Sequence, residues 1–198
     1  MRGDVTKFPD LYLMRHGQTI WNVEERMQGL LDSPLTELGL RHAQRQAALV
    51  SALAQKQEID LAAVGKFAST QGRAQHTAQI IFGEGGFESD QRLVEIDVGA
   101  FTGAQIKHLR ISHPHIFTGP RYDWYNRTPD GEHFAALEAR VRSFLEGLTS
   151  PAMIVTHGMT LRMIRVVALG LPVARIAEMP VRQGVIHLVA QGRHRTLS

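Results

Sequence analysis

Cysteine is absent from all 198 residues. That excludes a disulfide framework, a zinc–thiolate centre and a thiolate nucleophile together. Long apolar runs are missing too, so the chain offers neither the core of a signal peptide nor a membrane span. Met1 to Asp10 is polar and broken by Gly3 and Pro9. No basic run tracks a nucleic-acid backbone: 22 Lys and Arg stand against 19 Asp and Glu, a net +3. The expectation is a cytoplasmic protein that engages neither nucleic acid nor membrane. With 43% apolar and 21% charged residues, it can bury a core in a single domain, 1–198.

The strongest local signal is Leu11 to Thr19, LYLMRHGQT. Four apolar or aromatic residues read as a strand, and Arg15, His16 and Gly17 follow where it ends. Ile20 to Pro34 is turn-rich and reads as a polar loop with Trp21, Asn22, Gln28, Gly29 and Asp32-Ser33-Pro34. Thr36 can cap a helix from Glu37 to about Gln55, with Leu40, Ala43, Ala47, Val50 and Ala54 on one face. Leu61 to Ala68 is a second strand candidate, and Ser69 or Thr70 can cap a helix running to Phe82. Arg73 falls in that helix's first turn, where the macrodipole disfavours a cation unless an anion is near.

Gln91 to Glu95 reads as extended. Residues 103–131, with Pro114, Pro120 and Pro129, read as an irregular cover over one end of a sheet. The cover's His113-Pro114-His115 lacks a nearby carboxylate and reads as surface, not a metal site. Phe134, Leu137, Val141, Phe144 and Leu148 mark another helix. Ala152 to Thr156 repeats the opening pattern, an apolar run ending in His157-Gly158, and a helix over Met159 to Leu169 and a last strand over Gly184 to Ala190 follow. The alternation predicts an α/β fold: a three-layer α/β/α sandwich, a mostly parallel central sheet, and the cover over the strand C-terminal ends.

Two histidines at strand ends, with Arg15 and Arg73 near the same sheet edge, suit a tetrahedral oxyanion that guanidinium forks can bind in bidentate fashion. The backbone N–H groups at Gly72-Arg73 could add donors. Other phosphate machinery is missing: no Gly-x-x-x-x-Gly-Lys-Ser/Thr loop, no Asp-x-Asp pair, no Gly-x-Ser-x-Gly elbow. Histidine is the nucleophile left.

These residues carry a resemblance. Arg15 to Thr19, Asn22, Asp32 to Thr36 with Gly39, Ser69-x-x-x-Arg73-Ala74-x-x-Thr77-Ala78, Leu93-x-Glu95 with Gly99 and Gly103, Gly131-Glu132 and His157-Gly158 resemble, in order, the histidine phosphatase superfamily, the phosphoglycerate mutase-like group. The resemblance implies that His16 accepts the phosphoryl group, that Arg15, Arg73 and His157 hold its oxygens, and that Glu95 is the proton donor. By chemistry alone Asp97 is an equal candidate for the acid. Neighbouring cations would keep His16 neutral, and the substrate's charge would keep Glu95 protonated before transfer. Thr19, Asn22, Gln28, Gly29 and Gly158 complete the expected phosphate and substrate contacts, although Asn22 serves equally as a turn residue.

Two departures stand out. His133 follows Gly131-Glu132 where the family usually has serine, and Gln71-Gly72 replace an apolar pair member before Arg73. The expected partner is a small phosphorylated substrate, with no metal and no cofactor required. Hydrolysis is preferred because the chain and its cover are short. A cofactor-dependent phosphoglycerate mutase is the alternative, and a non-catalytic phospholigand-binding regulatory protein the third. His108, Arg121, Trp124, Tyr125 and Arg127 are open candidates for contacting a leaving group, and the C-terminal strand for pairing across a dimer.

Overall fold

The computed structural model describes residues 8–198. A six-stranded sheet forms its centre, from β1 (Leu11–Arg15), β2 (Gly65–Ser69), β3 (Glu88–Asp90), β4 (Ala152–Thr156), β5 (Ile186–Ala190) and β6 (Arg193–Leu197), in the order β3-β2-β4-β1-β5-β6. The contacts among β3, β2, β4 and β1 are parallel, while β5 runs antiparallel to both β1 and β6. The sheet is thus mixed but mostly parallel. The central strands are continuously apolar because both their faces are covered. Along β1, Leu11 and Leu13 point into one core and Tyr12 and Met14 into the other; along β4, Ala152 and Ile154 oppose Met153 and Val155 in the same way.

The first core is closed by α5 (Phe134–Glu146) and α6 (Gly158–Ala168), the second by α2 (Glu37–Gln55) and α3 (Gly72–Phe82). These are the outer layers of the expected sandwich. Thr36 caps α2, accepting from the Gly39 N–H at 3.0 Å, a contact worth about 1 kcal/mol. The buried face of α2 is Gly39, Ala43, Gln46, Val50 and Leu53, so a glutamine lies within the apolar stripe. No helix among the described residues is long and apolar enough to cross a membrane.

Several boundaries differ from expectation. Leu61 to Val64 turns instead of extending, because Asp60 holds the Ala62, Ala63 and Val64 N–H groups, and β2 starts only at Gly65. Gln91–Leu93 is a 3₁₀ turn capped by Asp90, which accepts from Arg92 N at 2.7 Å; the extended segment is β3, just before it. The loop after Thr19 contains one helical turn, α1 (Ile20–Val23). The cover holds a helix, α4 (Ile106–Ser112), and a 3₁₀ helix, Asp123–Arg127. The last expected strand begins at Ile186, and β6 beyond it was not anticipated.

Candidate active site

The parallel register puts Arg15 of β1 beside Thr156 of β4, so His16 and His157 leave adjacent strands at the same level. Their ring centroids are 5.1 Å apart. Ser69 ends β2 in the same row, and the crevice opens beyond these C-terminal ends, as expected for an open α/β sheet. A cavity of about 190 Å³ there is lined by Arg15, His16, Asn22, Gln28, Gly29, Arg73 and Glu95, among others. Larger cavities lie elsewhere; the one of about 740 Å³ flanks Tyr12 and Arg193, away from these strand ends.

His16 is 2% exposed, and its Nδ1 lies 2.8 Å from the Gly17 carbonyl oxygen. A carbonyl only accepts, so Nδ1 carries the proton and Nε2 keeps its lone pair. Burial first, then the charges of Arg73 and Arg15, hold the His16 pKa well below the ordinary histidine value, so the ring is neutral. The loop under it is pinned from several elements: Gly17 N donates to Thr77 Oγ1 at 3.1 Å, Gln46 Nε2 to the Arg15 carbonyl at 3.1 Å, and Gln183 Nε2 to the His16 carbonyl at 3.0 Å. A Cβ on Gly17 would overlap the Gly39 carbonyl oxygen, which is why the loop and the first turn of α2 meet through two glycines.

His157 is fully buried between two partners. Arg73 Nε donates to its Nδ1 at 3.1 Å, so the proton sits on Nε2, 2.7 Å from Ser69 Oγ. Burial, followed by the Arg73 charge, keeps this ring neutral as well. To bond a phosphate oxygen, its Nε2–H would have to leave Ser69.

The two arginines are differently occupied. Arg73 donates from Nη1 to the Leu31 carbonyl and Asp32 Oδ1, from Nη2 to the Gly29 carbonyl and from Nε to His157. One N–H of its five remains, which corrects the expectation of a bidentate fork. The N–H groups of Gly72 and Arg73 are also taken, both by Asp32, so they are not the anion donors expected of them. Asp32 replaces the predicted Ser69 or Thr70 cap, because α3 starts at Gly72 after an uncapped Gln71. Arg15 is the freer cation: its Nη1 makes one long bond to the Val181 carbonyl at 3.4 Å, and its buried Nε has no partner. A buried guanidinium N–H with nothing to bond is costly unless an anion arrives.

Glu95 caps α6. Its Oε1 accepts from the N–H groups of Ile96, Met159 and Thr160 at 3.0–3.1 Å and from Thr160 Oγ1 at 3.3 Å; Oε2 takes only Met159 N, at 3.1 Å. Oε2 is therefore the oxygen with room for a proton. The helix start packs beside both groups: a Cβ on Gly158 would meet Oε2 at 3.4 Å and Arg15 Nε at 3.8 Å, ordinary van der Waals contact. Asp97, the other candidate acid, instead accepts from Gly99 N at 2.9 Å and does not line the cavity.

The lesser predicted residues divide. Asn22 Oδ1 accepts from Thr19 N at 3.2 Å and Gln183 Nε2 at 3.4 Å, leaving its NH₂ donors for the cavity. Gln28 Oε1 is buried without a partner, and Gly29 lines the wall beside it. Thr19 is not part of the cavity: it caps α1, accepting from Asn22 N at 3.1 Å. Sequence reading missed the roles of Ser69 against His157 and of Gln183 under His16. It flagged Gln71 only as a departure; the side chain ties the Gly29 carbonyl (2.9 Å) to the Glu95 N–H (2.7 Å). His133 supplies no cap to α5, and Asn126 Oδ1 serves instead, accepting from Phe134 N at 2.9 Å.

A mostly parallel sheet with two buried neutral histidines, an arginine whose buried Nε is unpartnered and a helix-capping glutamate at its strand ends defines a class. The chain belongs to the histidine phosphatase superfamily (branch 1), whose model matches residues 11–197. Among its relatives, a protein of Yersinia pestis named probable phosphoglycerate mutase GpmB is 35% identical over 178 residues, covering 82% of this chain and 75% of its own. The structure of Bacillus stearothermophilus YhfR is similar with a TM-score of 0.76 at 29% identity, covering 94% of each chain. A mycobacterial glucosyl-3-phosphoglycerate phosphatase, solved in complex with VO₃, is similar with a TM-score of 0.74 at 26% identity, covering 95% of this chain and 96% of its own.

Proposed function

We propose that the protein hydrolyses phosphomonoesters of small metabolites through a phosphohistidine on His16, without a metal ion. The observation that carries this reading is the His16 tautomer, Nδ1–H on the Gly17 carbonyl and Nε2 bare, beside the unpartnered Arg15 Nε. In the first step Nε2 attacks phosphorus in line, the P–O bond to the alcohol breaks, and Glu95 Oε2 delivers its proton to the departing alkoxide. In the second, ionised Glu95 takes a proton from water as the water attacks phosphorus, breaking the P–N bond and releasing phosphate. Arg15, the remaining N–H of Arg73, and Asn22 stabilise the equatorial oxygens, so most of the acceleration is positioning and electrostatics.

A mutase reading shares the first step and differs in returning the phosphoryl group to a second hydroxyl. The name of the Yersinia pestis relative favours it. Both readings use a proton donor that a non-catalytic phospholigand-binding protein would not need, and Glu95, which lines the cavity with Oε2 taking a single N–H, supports them. Assay of p-nitrophenyl phosphate after exhaustive EDTA treatment tests the proposal: turnover is expected, and its absence, or its return only with a divalent ion, would sink it. Interconversion of 2- and 3-phosphoglycerate on addition of the bisphosphate, faster than hydrolysis, would instead establish the mutase.

A further inference from the structure

Glu95 sits on a stretch of chain that belongs to no helix or strand. One 3₁₀ turn ends at Leu93 and the next, Gly99–Phe101, begins four residues after Glu95. Side chains from other elements fix the backbone between them. Thr156 Oγ1, on β4, donates to the Leu93 carbonyl at 2.7 Å, and Thr160 Oγ1, on α6, to the Val94 carbonyl at 2.6 Å. Gln71 Oε1 accepts the Glu95 N–H.

The two ends of this stretch meet a single ion pair. Arg140, on α5, donates from Nη1 to the Arg92 carbonyl at 2.7 Å, three residues before Glu95. Its Nε and Nη2 form a fork on Glu132, at 2.6 Å to Oε1 and 2.8 Å to Oε2. Glu132 in turn closes on Asp97, two residues after Glu95. Its backbone N–H donates to the Asp97 carbonyl at 2.9 Å, and its Oε2 accepts from the Asp97 N–H at 3.4 Å. Gly131 permits that approach, since a Cβ there would stand 3.1 Å from the Asp97 carbonyl oxygen. The Arg140 and Glu132 side chains are only 17% and 18% exposed, so water competes weakly for the fork. Neither residue lines the cavity.

We propose that Glu132 and Arg140 are a positioning pair for the acid: by clamping Arg92 and Asp97 they set where Glu95 Oε2 stands relative to the leaving-group oxygen. The proposal rests on the phosphomonoester reading above and adds the residues that aim its proton donor. A misplacement of about 1 Å can cost about a hundredfold in rate. His16, Arg15 and Arg73 are anchored through other residues, so loss of the fork reaches the chemistry as loss of acid catalysis. A lysine at 140 keeps the charge but cannot reproduce the fork on Glu132 together with the bond to Arg92.

The test measures kcat/KM, which reports the first phosphoryl transfer, in Arg140→Lys and Glu132→Gln. Glycerol phosphate has an alkoxide leaving group that needs a proton, and p-nitrophenyl phosphate a phenolate that hardly does. The ratio of the two values does not depend on how much of a variant folds. In both variants the ratio, glycerol phosphate over p-nitrophenyl phosphate, should fall about tenfold. In a Glu95→Gln background Arg140→Lys should leave the ratio within about twofold, because the acid it aims is gone. Hydrogen exchange reads the same placement without turnover: the Met159 and Thr160 N–H groups, which donate to the Glu95 carboxylate, should exchange about tenfold faster in Arg140→Lys. An unchanged ratio, a fall that persists in full in the Glu95→Gln background, or unchanged exchange overturns the proposal and leaves hydrolysis intact. Faster exchange in a protein that hydrolyses neither ester supports the positioning role and sinks the hydrolysis reading.

Discussion

Asp32 grips Arg73 from a loop forty-one positions away: Oδ1 accepts from the Arg73 backbone N–H at 3.1 Å and from Nη1 at 3.0 Å, and Oδ2 takes the Gly72 N–H. The anion that the start of α3 requires is thus a side chain of the protein itself. The Arg73 side chain is 1% exposed but that of Asp32 is 40% exposed, so water can partly replace the carboxylate. Asp32→Ala is expected to cost about 1–3 kcal/mol in urea unfolding and to lower kcat about ten- to hundredfold as Arg73 loses its orientation. Unchanged kcat would show that Arg73 does not depend on this contact.

Gln71 couples the acid to the Gly29 loop. Gln71→Leu leaves the Glu95 N–H without its acceptor, at about 1–3 kcal/mol for a buried group, while the Gly29 carbonyl keeps Arg73 Nη2. Because the acid is displaced, kcat should fall more for an alkyl phosphate than for p-nitrophenyl phosphate, whose leaving group hardly needs a proton. The same differential, larger, is expected for Glu95→Gln. Equal losses on both substrates would remove Glu95 from the acid role.

Ser69→Ala strips His157 Nε2–H of its acceptor in a site without water access. The expected cost is about 1–3 kcal/mol. In ¹⁵N NMR the His157 ring should keep its Nε2–H tautomer, fixed by the Arg73 Nε donation to Nδ1, with its Nε2 resonance shifted by loss of the acceptor, while His16, held by the Gly17 carbonyl, keeps Nδ1–H. A His16 spectrum dominated by Nε2–H would contradict the proposed nucleophile.

Burial depresses the pKa of His16, His157 and His187, the last to about 3. Each binds a proton in the unfolded chain near the ordinary value of about 6.5, but not in the folded one. Between that value and the folded pKa the unfolded state holds more protons, so stability is present above about pH 6.5 and declines as the pH falls. The limiting slope is about 1.4 kcal/mol per pH unit for each histidine. Chemical denaturation at pH 7, 6 and 5 measures it, and His187→Phe should shrink it by one histidine's share. The same depression means that kcat/KM should show no loss of the nucleophile near pH 6.5.

Much of the architecture was legible because hydrophobic patterning carries it: β1 and β4 are short apolar runs, and α2 and α5 have a clear apolar stripe. Unreadable elements depended on partners distant in the chain or lacked an apolar pattern. β6, Arg-His-Arg-Thr-Leu, is an edge strand whose charges discourage further pairing, so it carries no alternation to read. Leu61 to Val64 looked like a strand because the competing hydrogen bonds to Asp60 leave no mark on hydrophobicity.

At the site the motif supplied His16, Arg15, Arg73, Glu95 and His157, and the fold brings all five together. Their hydrogen-bond accounting could not be foreseen. That Arg73 spends four donors on the protein, while Arg15 keeps a buried Nε free, follows from the carbonyls of Gly29 and Leu31 meeting α3, a tertiary event. Thr19 fell inside the motif but caps α1 instead of facing the cavity.

Rapid quench with ³²P-labelled substrate reads whether His16 Nε2 carries the phosphoryl group. The expected result is an acid-labile, alkali-stable label, about one per chain at most, that peptide mapping places on His16 and that His16→Ala abolishes. Label that persists in His16→Ala, or that proves stable to acid and labile to alkali, would contradict it.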